Sequence, residues 1–278
     1  MNTVSVPWLK ENLSLKNLII FDASIAKVTH QQLKKKPDKK QIKKARFFDI
    51  KKEFSNSNNP FPNTLLSPNK FEEKAQKIGV NQHSIIVVYD DLGIYSSARV
   101  WWMFKAMGHK NIAVLDGGFP KWLEANYPIE DSSKLKNQKI KKGNFKVNFN
   151  ASFFCKKQEI LKAITNQHQQ IIDARSNGRF LGLTPEPRKD VRNGHIPTAV
   201  SLPYSELLDD GKLKSIKEIK QKFNSLEAEN KQLIFSCGSG VTACVLALAA
   251  TIVGYTNLSV YDGSWTEWGS LFELPIEK

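Results

Sequence analysis

At 278 residues the chain is longer than most single domains, so two domains of about 130 residues are expected. Hydrophobic residues make up 41%, enough for two cores, and 41 Lys and Arg against 27 Asp and Glu leave a net charge of +14. That charge suits anionic partners. The lysines, however, are scattered or lie in loops (Lys34, Lys35, Lys36, Lys39, Lys40, Lys43, Lys44 and those of residues 134–142), without interleaved aromatics or a nucleic-acid motif. They read as a solvated surface that attracts small anions, and nucleic acid is not expected as a partner.

The N-terminal MNTVSVPWLKENL lacks the regions of a signal peptide. Residues 18–24 then form a continuous apolar run ending near an acid, Asp22, which predicts a buried strand. Residues 84–90 give a second strand that ends on Asp90, and residues 114–118 with Trp122 a third. About 150 residues further on the same order returns: 171–175, then 232–237, then 260–264 with Trp268. An ordered set of matches at a nearly constant offset is an internal repeat, so both halves should share one fold. Helical segments lie between the strands at 70–78, 97–107, 156–165, 215–225 and 243–253. Continuous apolar strands alternating with helices predict α/β domains, each a parallel sheet flanked by helices. The polar, Lys-rich residues 130–150 read as a linker. The expected domains are 1–130, a linker at 131–150, and 151–278.

Chemistry concentrates in the second half. Residues 233–236 are a strand and 243–253 a helix, so Cys237, Gly238, Ser239, Gly240, Val241 and Thr242 make the turn between them. Ligands in such folds sit beyond the C-terminal ends of the strands. Two glycines allow a tight turn whose N–H groups, with the positive end of the helix, can cradle an anion. A thiol in that setting ionises readily and becomes a nucleophile. Cys155 and Cys244 read as core residues. Three cysteines, an odd number at irregular spacing, argue against a disulfide framework and for a reducing compartment. The longest apolar stretch, 241–253, is too short to span a bilayer. A soluble, cytoplasmic protein with no membrane partner is expected.

CGSGVTA, the apolar helix after it and YDGSWTEW at 261–268 resemble the catalytic half of the two-domain rhodanese-like sulfurtransferases, in particular the 3-mercaptopyruvate sulfurtransferases. The resemblance runs over nearly the whole chain and implies two tandem rhodanese-like domains, of which only the second is catalytic. It implies that Cys237 takes a sulfane sulfur from 3-mercaptopyruvate, or less well from thiosulfate, as a persulfide held by the 238–242 loop. The acceptor would be cyanide or a thiol, such as a small thiol or a thioredoxin-like protein, and no metal or organic cofactor is implied. Arg179 and Arg188, in GRF and TPEPR, match the arginines that hold the substrate in the family. An arginine fork suits the carboxylate of an α-keto acid. Tyr95, in GIYSSARVWWMF, matches a loop that lines the family's cleft.

Asp90 occupies the first-half position of Cys237, so the first half cannot do the same covalent chemistry. His195, in GHIP, reads as packing at a strand entrance. The family's first-half His-Ile-Pro-Gly motif carries a histidine implied in proton transfer. Here that stretch reads Gln41-Ile42-Lys43-Lys44-Ala45, and Gln41 cannot titrate. Gly238 and Ser239 are neutral where thiosulfate-preferring relatives carry basic side chains, which favours mercaptopyruvate. A cysteine phosphatase would need an arginine at position 243, which is Ala243. A sulfur relay or partner-binding module with poor small-molecule turnover is the alternative, supported by the net charge and by Gln41.

Overall fold

The computed structural model describes residues 1–28, 40–132, 140–226 and 230–278. Lys34, Lys35, Lys36, Lys39 and residues 133–139 of the expected linker lie outside the described residues. The chain divides into two compact units. The first comprises Met1–Phe54, Leu66–Phe149 and Asp210–Lys212, and the second Ser55–Leu65, Asn150–Asp209 and Leu213–Lys278. A short segment from the first half of the sequence thus belongs to the second unit.

Up to the linker the elements are β1 (Thr3–Val4), α1 (Val6–Glu11), β2 (Leu18–Asp22), β3 (Lys40–Ile42), β4 (Arg46–Phe47), α2 (Pro68–Lys77), β5 (Ile85–Tyr89), α3 (Ser97–Ala106), β6 (Ile112–Leu115), α4 (Gly118–Glu124) and β7 (Ile129–Asp131). Five of these strands form a parallel sheet in the order β1-β6-β5-β2-β4, while β3 and β7 pair antiparallel beside it. Helix starts are local: the Ser5 side chain accepts from the Trp8 N–H at α1, and α2 opens on Pro68, whose missing N–H costs nothing at that position. Both sheet faces are covered, which is why β2 is apolar up to Asp22 and β5 up to Tyr89. The described part of the expected linker runs along this unit. Gly143 N–H donates to Gln76 O at 2.8 Å, Phe145 N–H to Val80 O at 3.1 Å, and the Phe145 side chain is buried.

After Asn150 follow β8 (Phe154–Cys155), α5 (Lys157–Ala163), β9 (Gln169–Asp173), α6 (Asn177–Phe180), β10 (Val200–Ser201), β11 (Leu208–Asp209), β12 (Lys212–Leu213), α7 (Ile216–Asn224), β13 (Gln232–Ser236), α8 (Ala243–Ile252), β14 (Leu258–Tyr261) and α9 (Ser264–Ser270). The five-stranded sheet runs β8-β14-β13-β9-β10, all parallel, which is the strand circuit of the first unit repeated. β11 and β12 form a small separate pair. A capping box between Ser215 and Glu218 starts α7. Helix α8 is apolar all round because nearly all of it is buried, Ala243 to Ala250 inclusive. Ile160, Ile171, Ile234, Tyr261, Trp265 and Trp268 fill the core on the other side of the sheet. Among the described residues no helix is long and apolar enough to cross a membrane.

Candidate active site

Strand β13 delivers Cys237 to the C-terminal edge of the second sheet, where the residue is 1% exposed. The turn after it is pinned from outside by the start of α9. Ser264, held at φ +51°, accepts the N–H groups of Cys237 (3.2 Å) and Gly240 (3.0 Å) on its hydroxyl, which in turn donates to Tyr261 O (2.8 Å). The N–H of Trp265 reaches Cys237 O (2.9 Å), and both the N–H (3.0 Å) and the hydroxyl of Thr266 donate to Gly238 O. This is what the GSWT sequence does. The expected cradle is therefore smaller than the loop, because the Gly240 N–H is committed to Ser264. The N–H groups of Gly238, Ser239, Val241 and Thr242 have no hydrogen bond to the described residues, and they are the donors left for an anion.

The first unit shows the same turn already filled. Asp90 is fully buried and accepts the N–H groups of Leu92 (3.0 Å), Tyr95 (2.8 Å) and Ser97 (2.8 Å). Burial pushes its carboxyl pKa up, against the pull of those bonds. A carboxylate built into the chain occupies the donors that a substrate anion would need. Tyr95 lies on this loop, half-buried, with Lys27 Nζ 5.5 Å from its ring centre.

Both arginines come to the cysteine loop. A Cβ on Gly238 would lie 3.2 Å from Arg179 Nη2 and 3.6 Å from Arg188 Nη1, so a glycine here leaves room for two guanidinium groups. Arg188 Nη2 also donates to Ser239 Oγ at 3.3 Å. Arg179 is not an open fork, however. Its Nε and Nη2 grip Glu186 at 3.0 and 2.6 Å, which leaves Nη1 and the outer Nη2 proton for a ligand. Glu186 is held in turn by Arg175 Nη1 at 2.9 Å, and Arg175 pairs with Asp173 while its guanidinium lies 4.4 Å from the Trp265 ring centre. Asp173, Arg175 and Glu186 are all but fully buried. Attraction to the two carboxylates holds the Arg175 pKa up against desolvation. Sequence reasoning singled out the two arginines at the cysteine loop and missed this support.

His195, expected to pack at a strand entrance, packs against Phe180 at the end of α6. Its ring stacks on Phe180 (3.8 Å between centres, 14°), and Nδ1 bonds Phe180 O at 2.9 Å, so Nδ1 carries the proton. Gln41 is buried in the first unit, where its amide donates to Ala45 O (2.7 Å) and Glu130 (3.3 Å). The side chain that meets the loop serine is instead Asn63, whose Nδ2 lies 2.9 Å from Ser239 Oγ. No motif marked Asn63, because its segment is distant in sequence from the loop it serves. Cys155 and Cys244 are bystanders. Burial pushes the Cys155 thiol up to about 12, and Cys244 Sγ bonds Gly240 O at 3.3 Å.

The Rhodanese-like domain family matches twice, over residues 5–125 and 156–271. A 3-mercaptopyruvate sulfurtransferase of Mus musculus is 38% identical over 275 residues, spanning 95% of this chain and 91% of that protein. A thiosulfate sulfurtransferase of Rattus norvegicus is 34% identical over 274 residues, with 95% and 91% covered. Among solved structures, a 3-mercaptopyruvate sulfotransferase from Escherichia coli superposes with a TM-score of 0.82 at 32% identity, over 95% of this chain and 98% of that one. With one strand circuit present twice, a cysteine on the second copy alone, and relatives matched along nearly the whole length, the chain belongs to the two-domain rhodanese-like sulfurtransferases, the family of the 3-mercaptopyruvate and thiosulfate sulfurtransferases.

Proposed function

We propose that the protein moves sulfur from 3-mercaptopyruvate, and less efficiently from thiosulfate, through a persulfide on Cys237 to a thiol or to cyanide. The observation that carries this reading is the flanking of Gly238 by Arg179 and Arg188 beside a loop with four N–H groups that have no partner among the described residues. The guanidinium groups bind the planar carboxylate and ketone of the donor. The Cys237 thiolate attacks the donor sulfur, forming the S–S bond as the C–S bond breaks. The electron pair of the C–S bond goes to the three-carbon fragment as an enolate, which the ketone and nearby cations stabilise. The thiol proton of the donor ends on that carbon, giving pyruvate and an enzyme persulfide. The loop N–H groups hold the outer sulfur until an acceptor thiolate takes it and restores the Cys237 thiolate. The scheme calls on no metal or organic cofactor. The acceptor is a small thiol or a thioredoxin-like protein. A reducing cytoplasm suits three cysteines that are all free and buried.

Arg179→Ala and Arg188→Ala should each lower kcat/KM for mercaptopyruvate by roughly 1.5–3 kcal/mol, about 10- to 150-fold, as a charge-assisted hydrogen bond is lost. Lysine should rescue each only in part, since it lacks the fork. Wild-type kinetics in both alanine variants would refute the clamp.

Steady-state assays with both donors at one pH and salt concentration should give the higher kcat/KM for mercaptopyruvate. Mercaptopyruvate holds its carboxylate away from the reacting sulfur, whereas thiosulfate brings two negative charges to a loop in which Gly238 and Ser239 supply no side-chain cation. A wild type that favours thiosulfate would overturn the donor assignment. A basic residue at position 238, which loop charge alone would make a thiosulfate site, meets both guanidinium groups at once. Gly238→Arg should therefore depress turnover of both donors and not switch preference.

A further inference from the structure

Ser239 is the hydroxyl that directly follows Gly238 in the cysteine loop, and its environment fixes which way its proton can point. Oγ takes a hydrogen bond from Asn63 Nδ2 at 2.9 Å and another from Arg188 Nη2 at 3.3 Å. A hydroxyl oxygen has two acceptor sites and one donor proton. Both acceptor sites are filled, and among the described residues the proton has no acceptor. The amide orientation of Asn63 is set independently, because Nδ2 also lies 3.5 Å from Ser239 O, a carbonyl that can only accept.

Asn63 is itself held firmly. Its segment closes on itself through the Ser55 and Leu65 bridge and the Asn56 N–H to Thr64 O bond (2.9 Å), and Leu65 N–H donates to Asp262 Oδ2 (2.8 Å). The residue is buried and sits at φ +62°, a conformation that asparagine tolerates and most residues do not.

We propose that Asn63 is a positioning residue of the sulfur-transfer reaction: with Arg188 it saturates Ser239 Oγ as an acceptor and leaves the hydroxyl a fixed donor to the anion in the loop. The inference rests on the reading of that loop as the donor site. An amide does not titrate, so the orientation it imposes does not change with pH.

Two variants test this. Asn63→Gly keeps the positive φ at no steric cost and removes the donor. Asn63→Asp keeps the shape and reverses the polarity, since a carboxylate accepts the Ser239 proton and draws it away from the substrate. Asn63→Asp adds a charge near Arg188 and Asp262, so Asn63→Gly, which adds none, is carried through the same pH series as the neutral reference. After circular dichroism has confirmed folding, kcat and KM are measured for mercaptopyruvate and for thiosulfate across the pH range.

Asn63→Gly should lower kcat about tenfold at every pH, the size of one hydrogen bond of about 1.4 kcal/mol, with KM nearly unchanged. Asn63→Asp should lose more than Asn63→Gly at pH 8, and its ratio to wild type should climb as acid protonates the carboxyl and restores a donor. Equal, pH-independent losses in the two variants, or wild-type kcat in either, would overturn the proposal. Donor preference is read from wild type alone, so the assignment of mercaptopyruvate can fail while the variant ratios, taken with whichever donor turns over, still decide the role of Asn63.

Discussion

Cys237→Ser should give a folded protein that takes up no sulfur. The change is nearly isosteric, and the backbone bonds that shape the turn, Trp265 N–H to Cys237 O and Cys237 N–H to Ser264 Oγ, do not involve the side chain. The hydroxyl is nonetheless a far weaker nucleophile than a thiolate at neutral pH. Loss of a covalent nucleophile elsewhere costs roughly 10⁶-fold in kcat, and an effect of that order is expected here. Intact mass after incubation with mercaptopyruvate should show one added sulfur on wild type and none on the variant. Cys155 and Cys244 offer no substitute, since neither lies on the loop between β13 and α8: Cys155 ends β8 with its thiol pushed up by burial, and Cys244 is inside α8. Persulfide retained in Cys237→Ser but lost in Cys155→Ser or Cys244→Ser would end this account of the site.

Glu186→Gln should cost the second unit roughly 3–5 kcal/mol, the range for removing one partner from a buried ionic group. Glu186 accepts from both Arg175 and Arg179 at 2.6 to 3.0 Å with its side chain 3% exposed. The amide leaves Arg175 with Asp173 as its buried carboxylate and takes from Arg179 the carboxylate it grips. It also places an N–H₂ group against guanidinium donors. Urea unfolding should show a lower midpoint with the slope unchanged. The folded fraction should in addition have a raised KM for mercaptopyruvate, because Arg179 is no longer aimed at the loop. A midpoint equal to wild type would mean that the cluster contributes nothing to folding.

The repeat, the parallel α/β architecture and the cysteine turn were legible because each is written locally. Apolar strands, an apolar helix and two glycines in a row of six residues leave few other arrangements. Arg179 and Arg188 were legible through their motif. Their contrasting environments were not, since an acid between two prolines in TPEP gives no sign that it will be buried with two arginines. Asn63, and the task of Ser264 within its recognised motif, were invisible for a different reason. Each acts on the loop from a segment far along the chain, and hydrogen bonds between distant segments leave no periodicity to detect. Gln41 was singled out on motif alignment alone, and its amide turns out to be committed to Ala45 and Glu130.

Repeated modules that arise by duplication can ordinarily be cut apart and passed on singly. Here Ser55–Leu65, encoded between β4 and α2 of the first copy, packs as part of the second unit and brings Asn63 to its serine. A gene truncated before residue 150 would still encode the nucleophile, its glycines and both arginines, yet would leave out the segment that orients Ser239 and contacts Asp262. With Asp90 where the second copy has its thiol, the first copy still contributes structure to the second, and a module cut at the sequence midpoint would leave that contribution behind.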